Sequence, residues 1–353
     1  MKWAKKDWKS KKKNKRKKLI AMAINKPESG QQRYPRDRFP VISLRPEIEE
    51  KHEEHLAQLS KIINRYSKVG RRSPALYDWV LRLFENLGLS TVEEKYLDSL
   101  CLVKTKLVVF TVLVDDTIDN KDQRNLKLFE EVLKIPFTPE EVQTTNFTES
   151  EKEYLKLTKD VWKEIDEEIQ TYPFYKKYYE AFRFDTYQLL NSMRYSRMVN
   201  ALPVSANKFE NTDYIHHGML VMLQADLDLM CSKGFDEREL GNLRHLMLIA
   251  QKIARIGNLY TTYRREIAEE DLSSEVMLLL QEEFGAGFLQ KIQTILNKDK
   301  RHPDFEKVWK EEWKRLYEVE TEIAKNIKSI DTNLFLKERE FIQTAYLNKA
   351  DHW

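Results

Sequence analysis

Three aspartates stand at the end of an apolar stretch, with a spacing that puts them on one side of a helix. The segment Leu107–Asn120 reads LVVFTVLVDDTIDN. Its apolar run leads directly into Asp115, Asp116 and Asp119. At about 100° per residue Asp115 and Asp119 point the same way, with Asp116 beside them. Carboxylates crowded against apolar surface need a positive partner, and their hard oxygens suit Mg²⁺. The pattern predicts a metal site at the mouth of an apolar cavity.

A second polar set lies on the later stretch Asn242–Glu270, whose apolar spacing predicts a long amphipathic helix. Asn258, Thr262 and Glu266 follow at four-residue intervals. Each is therefore rotated by only about 40° from the one before, and the three form a polar stripe. An amide, a hydroxyl and a carboxylate offer three oxygen ligands to one hard cation. The structural alternative is that Thr262 bonds back to its own helix and Glu266 pairs with a nearby Arg.

Together the two sets resemble the motifs of the class I terpene synthases, the isoprenoid cyclases that form carbocations. That family carries D-D-x-x-D at one helix end and N-x-x-x-[ST]-x-x-x-E on a later helix facing it. Here the first motif is DDTID and the second is the polar stripe, in an order similar to the single-domain bacterial-type members. The resemblance implies an all-α fold, a single-domain helical bundle around a central active-site cavity. It also implies Mg²⁺, three ions in that family, bound by the residues of both motifs: Asp115, Asp116, Asp119, Asn258, Thr262 and Glu266.

The resemblance implies a function as well. Asp115, together with Asp116 and Asp119, is expected to bind the metal ions that trigger ionisation of an allylic prenyl diphosphate. Arg265 resembles the basic residue that contacts the diphosphate. The segment ARIGNLYTTYRRE resembles bacterial diterpene synthases, which favours a C20 substrate, geranylgeranyl diphosphate or a derived bicyclic diphosphate. The open alternatives are a sesquiterpene synthase acting on farnesyl diphosphate, a related prenyltransferase, and a non-enzymatic helical scaffold with a basic tail that binds nucleic acid or membrane.

Two features usual in that family are missing. The segment FENTDYIHHGMLVMLQ contains no Arg, although a diphosphate-sensing Arg is expected there, near a helix break. Gly218 is the candidate for the break, and His216 or His217 for the sensor. The Arg-Tyr pair that many members carry near the C-terminus is also absent from the sequence. The possibility that the protein is a divergent or impaired enzyme is therefore left open. An aromatic ring can stabilise a carbocation through its face, although such rings can also be ordinary core residues. The candidates are Trp79, Phe110, Phe182, Phe184, Tyr187 and Tyr260.

The composition fits long amphipathic helices. Of 353 residues only nine are Gly and ten Pro, while 33% are charged and 41% hydrophobic. Helices are predicted over 47–67, 74–88, 92–118, 148–170, 174–200, 211–231, 236–268, 273–297, 303–328 and 334–348. With only Cys101 and Cys231 no disulfide framework is expected, and the setting is reducing and cytoplasmic. His52 and His55 are three residues apart, unlike the H-E-x-x-H zinc motif, and are expected on a charged helix face.

The first eighteen residues carry the basic character of the chain. They hold eleven Lys or Arg and one Asp, a net charge of +10, whereas the whole chain is only +3. Residues 1–30 are predicted to be a disordered tail and residues 31–353 the terpene synthase α domain. The expected partner is a prenyl diphosphate, and contact of the tail with an anionic membrane surface is left open. Neither nucleic acid nor a transmembrane segment is expected, and a homodimer is left open.

Overall fold

The structure is a computed structural model that describes residues 46–118, 124–285 and 305–350, together with Phe288. Within these residues the chain forms helices joined by turns, and the one β pairing among them is an isolated bridge between Val92 and Ser232. The predicted all-α fold class is therefore confirmed. The tail 1–30 and Asp119 lie outside the described residues.

The helices account for most of the described chain. In order they are α1 (Pro46–Val69), α2 (Ala75–Phe84), α3 (Leu97–Asp115), α4 (Leu126–Val132), α5 (Glu149–Ile169), α6 (Tyr175–Ala201), α7 (Lys208–Tyr214), α8 (Val221–Met230), α9 (Leu240–Ala268), α10 (Glu275–Phe284), α11 (Phe305–Ala324) and α12 (Thr332–Ala350). Short 3₁₀ turns lie at Glu94–Tyr96, Pro139–Glu141, Pro203–Ser205, Ile215–Met219 and Glu237–Glu239. None of the helices in the described ranges combines the length and the apolar character that crossing a bilayer requires.

Helix α3 is buried on almost every side because its sequence is apolar around the whole helix. It packs against α1, α2, α5 and α8. Helix α9 is the other long inward element and packs against α8, α10, α11 and α12. The helix predicted over 92–118 therefore exists, but it starts with a 3₁₀ turn and ends at Asp115. The aspartates stand where the helix stops and the chain turns.

The helix predicted over 211–231 is interrupted, and the interruption lies at Leu220 rather than at Gly218. Leu220 has a φ of 65°, a left-handed conformation that costs a non-glycine residue about 1–2 kcal/mol. Two features hold it there. The Leu220 side chain is buried, and Gln251 of α9 accepts the N–H of Met222 at 3.1 Å, which satisfies the first turn of α8. Packing and this cap outweigh the preference of Leu for right-handed helix.

Helix α4 lies between the helices predicted over 92–118 and 148–170, where the sequence predicted no helix. The Asn125 side chain accepts the Leu128 N–H at 3.1 Å and begins the helix. Phe129 and Val132 are fully buried, and the helix packs against α5. Seven residues are too few to show a helical period in the sequence, so burial against a neighbour decides the conformation.

His52 and His55 are buried between α1 and α2, not on a charged helix face. The ring nitrogens of His52 lie 2.8 Å from Glu85 and 2.8 Å from Asp78, and His55 Nδ1 lies 2.9 Å from Glu85. Burial alone would lower the pKa of His52. The hydrogen bonds to Asp78 and Glu85 outweigh it and raise the pKa to about 9. A charged imidazolium therefore ties the two helices together.

We expect His52→Gln to destabilise the protein by about 1–3 kcal/mol at pH 6 and by much less at pH 9.5. Because the folded-state pKa of His52 lies above its ordinary value of 6.5, its stabilisation is complete below pH 6.5 and is lost as the pH rises through about 9. Urea unfolding of both proteins at pH 6, 8 and 9.5 measures this difference. His245→Gln, at an exposed position, is the control. A pH-independent difference would contradict the prediction.

Candidate active site

Helices α2, α3, α6, α8, α9 and α12 line a cavity of about 360 Å³, a size typical of small-molecule sites. Most of its wall is apolar, formed by Leu76, Trp79, Val80, Leu83, Phe84, Val108, Val112, Met193, Met219, Leu220, Met247, Phe335 and Ile342. Charged and polar residues gather at one end, which we call the polar end: Arg72, Asp115, Arg255, Asn258, Thr262, Arg265, Glu266, Glu269 and Asp271. Asp115 of the first predicted motif and all three residues of the second therefore line one cavity.

Asp115 lines the polar end and is half-buried at the last residue of α3. Burial raises the pKa of its carboxyl to about 7. Arg72 and Arg265 oppose this shift, and the neighbouring Asp116 carboxylate adds to it. Near neutral pH this carboxyl group is therefore only partly ionised, because its burial outweighs the attraction of the two arginines. A positively charged ligand near this carboxylate would therefore be favourable.

Asp116 does not line the cavity among the described residues. Its Oδ2 accepts hydrogen bonds from the Tyr66 hydroxyl at 2.6 Å and the Arg71 backbone N–H at 3.0 Å. Its Oδ1 lies 3.5 Å from Arg72 Nε. These contacts tie the end of α3 to the loop after α1. The metal-binding role of Asp116 stays a prediction, and in this conformation the carboxylate acts as an anchor.

Asn258, Thr262 and Glu266 all line the polar end, as the stripe on α9 predicts. Thr262 Oγ1 lies 2.7 Å from Glu266 Oε1 and 2.9 Å from the Asn258 backbone carbonyl. Burial alone would raise the pKa of Glu266. Arg255, Arg265 and the hydroxyl groups that hydrogen-bond to the carboxylate outweigh it and lower the pKa to about 2. The stripe is thus anionic, and its oxygen atoms contact a positively charged side chain of the same helix.

That positive group is Arg255, which sequence reasoning did not single out. Its Nη1 lies 2.7 Å from Asn258 Oδ1 and 3.2 Å from Glu266 Oε1, and its Nη2 lies 3.1 Å from Glu266 Oε2. Both contacts of the structural alternative are therefore present, the back-bond of Thr262 and the pairing of Glu266 with an Arg. The signal was available, because Arg255 precedes Asn258 by one helical turn.

Arg265 is held by Glu269, one turn further along α9. The distance from Arg265 Nη1 to Glu269 Oε2 is 2.9 Å, and Arg72 Nη1 lies 3.8 Å from Glu269 Oε1. Glu269 is buried and lies between two cavity-lining arginines. The i,i+4 spacing of Arg265 and Glu269 is visible in the sequence. The approach of Arg72 is not, because it comes from the loop between α1 and α2.

The other end of the cavity, which we call the floor, carries a buried ion pair. Lys104 Nζ lies 2.6 Å from Asp228 Oδ1, and Asp228 Oδ2 accepts the Leu89 N–H at 3.1 Å. Burial raises the pKa of Asp228, against the effect of Lys104. Lys104 precedes Asp115 by eleven residues on α3, about 16 Å of helix. The cavity is thus polar at both ends and apolar between them.

Six aromatic residues were candidates for stabilising a carbocation. Within the described part of the chain, only Trp79 of these six lines the cavity. The other five serve elsewhere: Phe110 and Phe182 pack on Trp162, Tyr260 packs on Trp309, and Phe184 and Tyr187 are exposed. Phe84 and Phe335 line the cavity although the sequence pattern did not indicate them. Periodicity places a ring on a helix face, but it does not say which cavity that face meets.

His216 and His217 are not part of the described cavity wall. His216 is buried, with Nδ1 2.8 Å from the Thr212 carbonyl, and burial lowers its pKa to about 3. His217 Nδ1 lies 3.2 Å from Gln251 Nε2, and burial lowers its pKa as well. Both imidazoles are therefore uncharged at neutral pH, and their role as a diphosphate sensor stays a prediction. The cavity-lining Arg72, Arg255 and Arg265 supply the positive charge instead.

The oxygen donors of the polar end suit Mg²⁺ by type: carboxylates of Asp115 and Glu266, the Asn258 amide and the Thr262 hydroxyl. No cluster of three or more His, Cys, Asp or Glu is arranged for a metal within the described ranges, which omit Asp119. The buried Arg255 Nε–H has no acceptor among the described residues. An anion beside a divalent ion would supply that acceptor, so the residues fit a metal with an anionic ligand.

No protein-family model matches the chain, and no curated protein matches it. The functional assignment therefore depends on the two motifs and on the cavity where they meet.

We expect Asp116→Ala to lower the free energy of unfolding by about 3 kcal/mol, and Asp115→Ala not to lower it. Removing the Asp116 carboxylate leaves the Tyr66 hydroxyl and the Arg71 N–H without their acceptor. Asp115 is the matched control because it is adjacent and carries the same group. Urea unfolding at pH 7.5 in EDTA measures both. Equal destabilisation by the two variants would show that Asp116 is not the anchor.

We expect Asp115→Asn to raise the melting temperature by about 2 °C or more at pH 8 in EDTA, and to change it little at pH 4. A folded-state pKa of about 7, above the ordinary value of 3.8, means that ionised Asp115 destabilises the folded protein. That cost develops as the pH rises from about 4 to 7 and is complete above 7. Thermal melts at both pH values test this. A variant that is less stable at pH 8 would overturn the argument.

Proposed function

We propose that this protein is a class I terpene synthase that ionises an allylic prenyl diphosphate and cyclises the carbocation. One observation carries the proposal: Asp115 on α3 and the polar stripe Asn258, Thr262 and Glu266 on α9 line the same end of one largely apolar cavity. Asp115 and the polar stripe are far apart in the sequence, and two accidental matches would not be expected to line the same end of one cavity. A helical bundle of the terpene synthase type is part of this proposal.

The charged residues of the polar end would bind the diphosphate. Arg72 and Arg265 are held on either side of the buried Glu269, so both guanidinium groups are positioned before a ligand arrives. Asp115 and the polar stripe would hold Mg²⁺ between them. Bound Mg²⁺ supplies Lewis-acid stabilisation of the charge that develops on a leaving diphosphate. Asp115 must lose its proton to serve as a ligand, so metal binding favours pH values above about 7.

The apolar wall would shape the chain once the diphosphate has left. It excludes water from a reactive cation, and the rings of Trp79, Phe84 and Phe335 present aromatic groups to the cavity. A C20 diphosphate is the preferred substrate, from the resemblance of ARIGNLYTTYRRE to bacterial diterpene synthases. A cytoplasmic location stays a prediction from cysteine usage.

We expect the purified protein with Mg²⁺ to convert one prenyl diphosphate into a terpene hydrocarbon or alcohol. Geranyl, farnesyl and geranylgeranyl diphosphates and a bicyclic C20 diphosphate are incubated separately, and products are identified by gas chromatography and mass spectrometry. Because ionisation depends on the two motifs, the Asp115→Ala, Asn258→Ala variant should make at least a hundredfold less product, since metal ligands contribute several kcal/mol to such a step. EDTA should abolish the product.

Glu282→Ala is the matched control, an exposed carboxylate of α10 that is not in the cavity wall. It should retain wild-type turnover. Product formation from farnesyl diphosphate alone would change the substrate to C15. Elongation that requires isopentenyl diphosphate would make the protein a prenyltransferase. A folded protein that gives no product with any of these substrates would refute the proposal.

A further inference from the structure

We propose that the guanidinium of Arg255 is the resident cation of the polar stripe, so that a divalent ion binds there only by displacing it. The inference rests on the proposed function because it assumes that the stripe Asn258, Thr262 and Glu266 binds a divalent ion. It assigns to Arg255 a role that neither motif contains.

The contacts of Arg255 use the oxygens that a metal would need. Its guanidinium spans the Asn258 amide oxygen at 2.7 Å and both Glu266 carboxylate oxygens at 3.2 and 3.1 Å. Thr262 is already hydrogen-bonded to Glu266 at 2.7 Å. A divalent ion at 2.0–2.1 Å from the same oxygens, the distance Mg²⁺ requires, would overlap the guanidinium. The two cations therefore exclude each other.

The side chain reaches an unusual distance to make these contacts. Arg255 precedes Glu266 by eleven residues, about 16 Å of helix. Side chains on a helix normally lean towards its N-terminus, whereas this one must extend along the helix in the opposite direction. The attraction of an acidic, buried stripe outweighs that preference. Glu266 is only 6% exposed, and without a positive partner its burial would be strongly destabilising.

Arg255 is nevertheless incompletely satisfied where it lies. Its buried Nε–H finds no acceptor among the described residues, and the side chain lines the cavity. The two other arginines of the polar end, Arg72 and Arg265, instead contact Glu269, away from the stripe. Arg255 is thus the arginine that competes for the stripe, and a guanidinium released from it would enter the cavity, where an anionic group can accept its N–H groups.

The test measures Mn²⁺ binding to the full chain, without any diphosphate, by electron paramagnetic resonance. We expect Arg255→Gln to bind Mn²⁺ at least tenfold more tightly than the wild type, because the competing cation is gone. Arg265→Gln removes the same charge from the same end of the cavity but leaves the stripe occupied, so it should show a much smaller change. If Arg255→Gln binds Mn²⁺ no more tightly than Arg265→Gln does, the inference is wrong.

A second measurement covers the fold. Arg255→Gln leaves Glu266 buried without its partner, so its melting temperature in EDTA should fall and should recover with Mn²⁺ more than that of the wild type. Arg255→Gln, Glu266→Gln removes both charges and should neither lose as much stability nor gain Mn²⁺ affinity. If Arg255→Gln does not fold, the Mn²⁺ affinity of Arg255→Lys tests the inference instead. Its ammonium cannot span both partners, so Mn²⁺ should bind more tightly than in the wild type, and unchanged affinity would refute the inference.

These outcomes are independent of terpene synthesis. Tighter Mn²⁺ binding by Arg255→Gln in a protein that makes no terpene would uphold the role of Arg255 and refute the proposed function. Terpene formation together with unchanged Mn²⁺ affinity would do the reverse.

Discussion

Asp116 accepts hydrogen bonds from the Tyr66 hydroxyl and the Arg71 N–H, and this contact sets where α3 ends relative to the loop after α1. The rest of the polar end follows from it. Because Asp116 is turned into the protein, its neighbour Asp115 is turned to the cavity. The same anchor brings Arg72 to the edge of the cavity, where it contacts Glu269 of α9. One buried carboxylate therefore connects three distant parts of the chain.

The polar end gathers charges of both signs, and each of its two buried glutamates is paired with arginine. Glu266 is compensated by Arg255, and Glu269 by Arg265 and Arg72. At Asp115, by contrast, burial outweighs the effect of Arg72 and Arg265, so the pKa of its carboxyl is raised. Such an arrangement keeps carboxylates in an apolar cavity at moderate cost while leaving one of them ready for a cation.

The family resemblance implied that Asp115 and the polar stripe face one cavity. The sequence alone was sufficient for the all-α class and for the long helices α3 and α9. Periodicity over many turns carries that information. It did not reveal α4, which is too short to show a period, or the break at Leu220, where tertiary packing outweighs local preference. Nor did it reveal Arg72, since contacts between distant segments leave no spacing to read. His52 and His55 were misplaced because charge in a sequence does not distinguish exposed side chains from buried ion pairs.

The Lys104–Asp228 pair makes the cavity floor a rigid boundary. Enlarging the cavity there would separate two buried charges and release the backbone of Leu89, which Asp228 also holds. The side wall is different in kind, because Met193, Met219 and Met247 line it with flexible, unbranched side chains that change rotamer easily. The cavity therefore has a fixed length and an adaptable width. A change in the contour of a bound molecule is absorbed sideways, by the methionines, while the distance from floor to polar end stays constant.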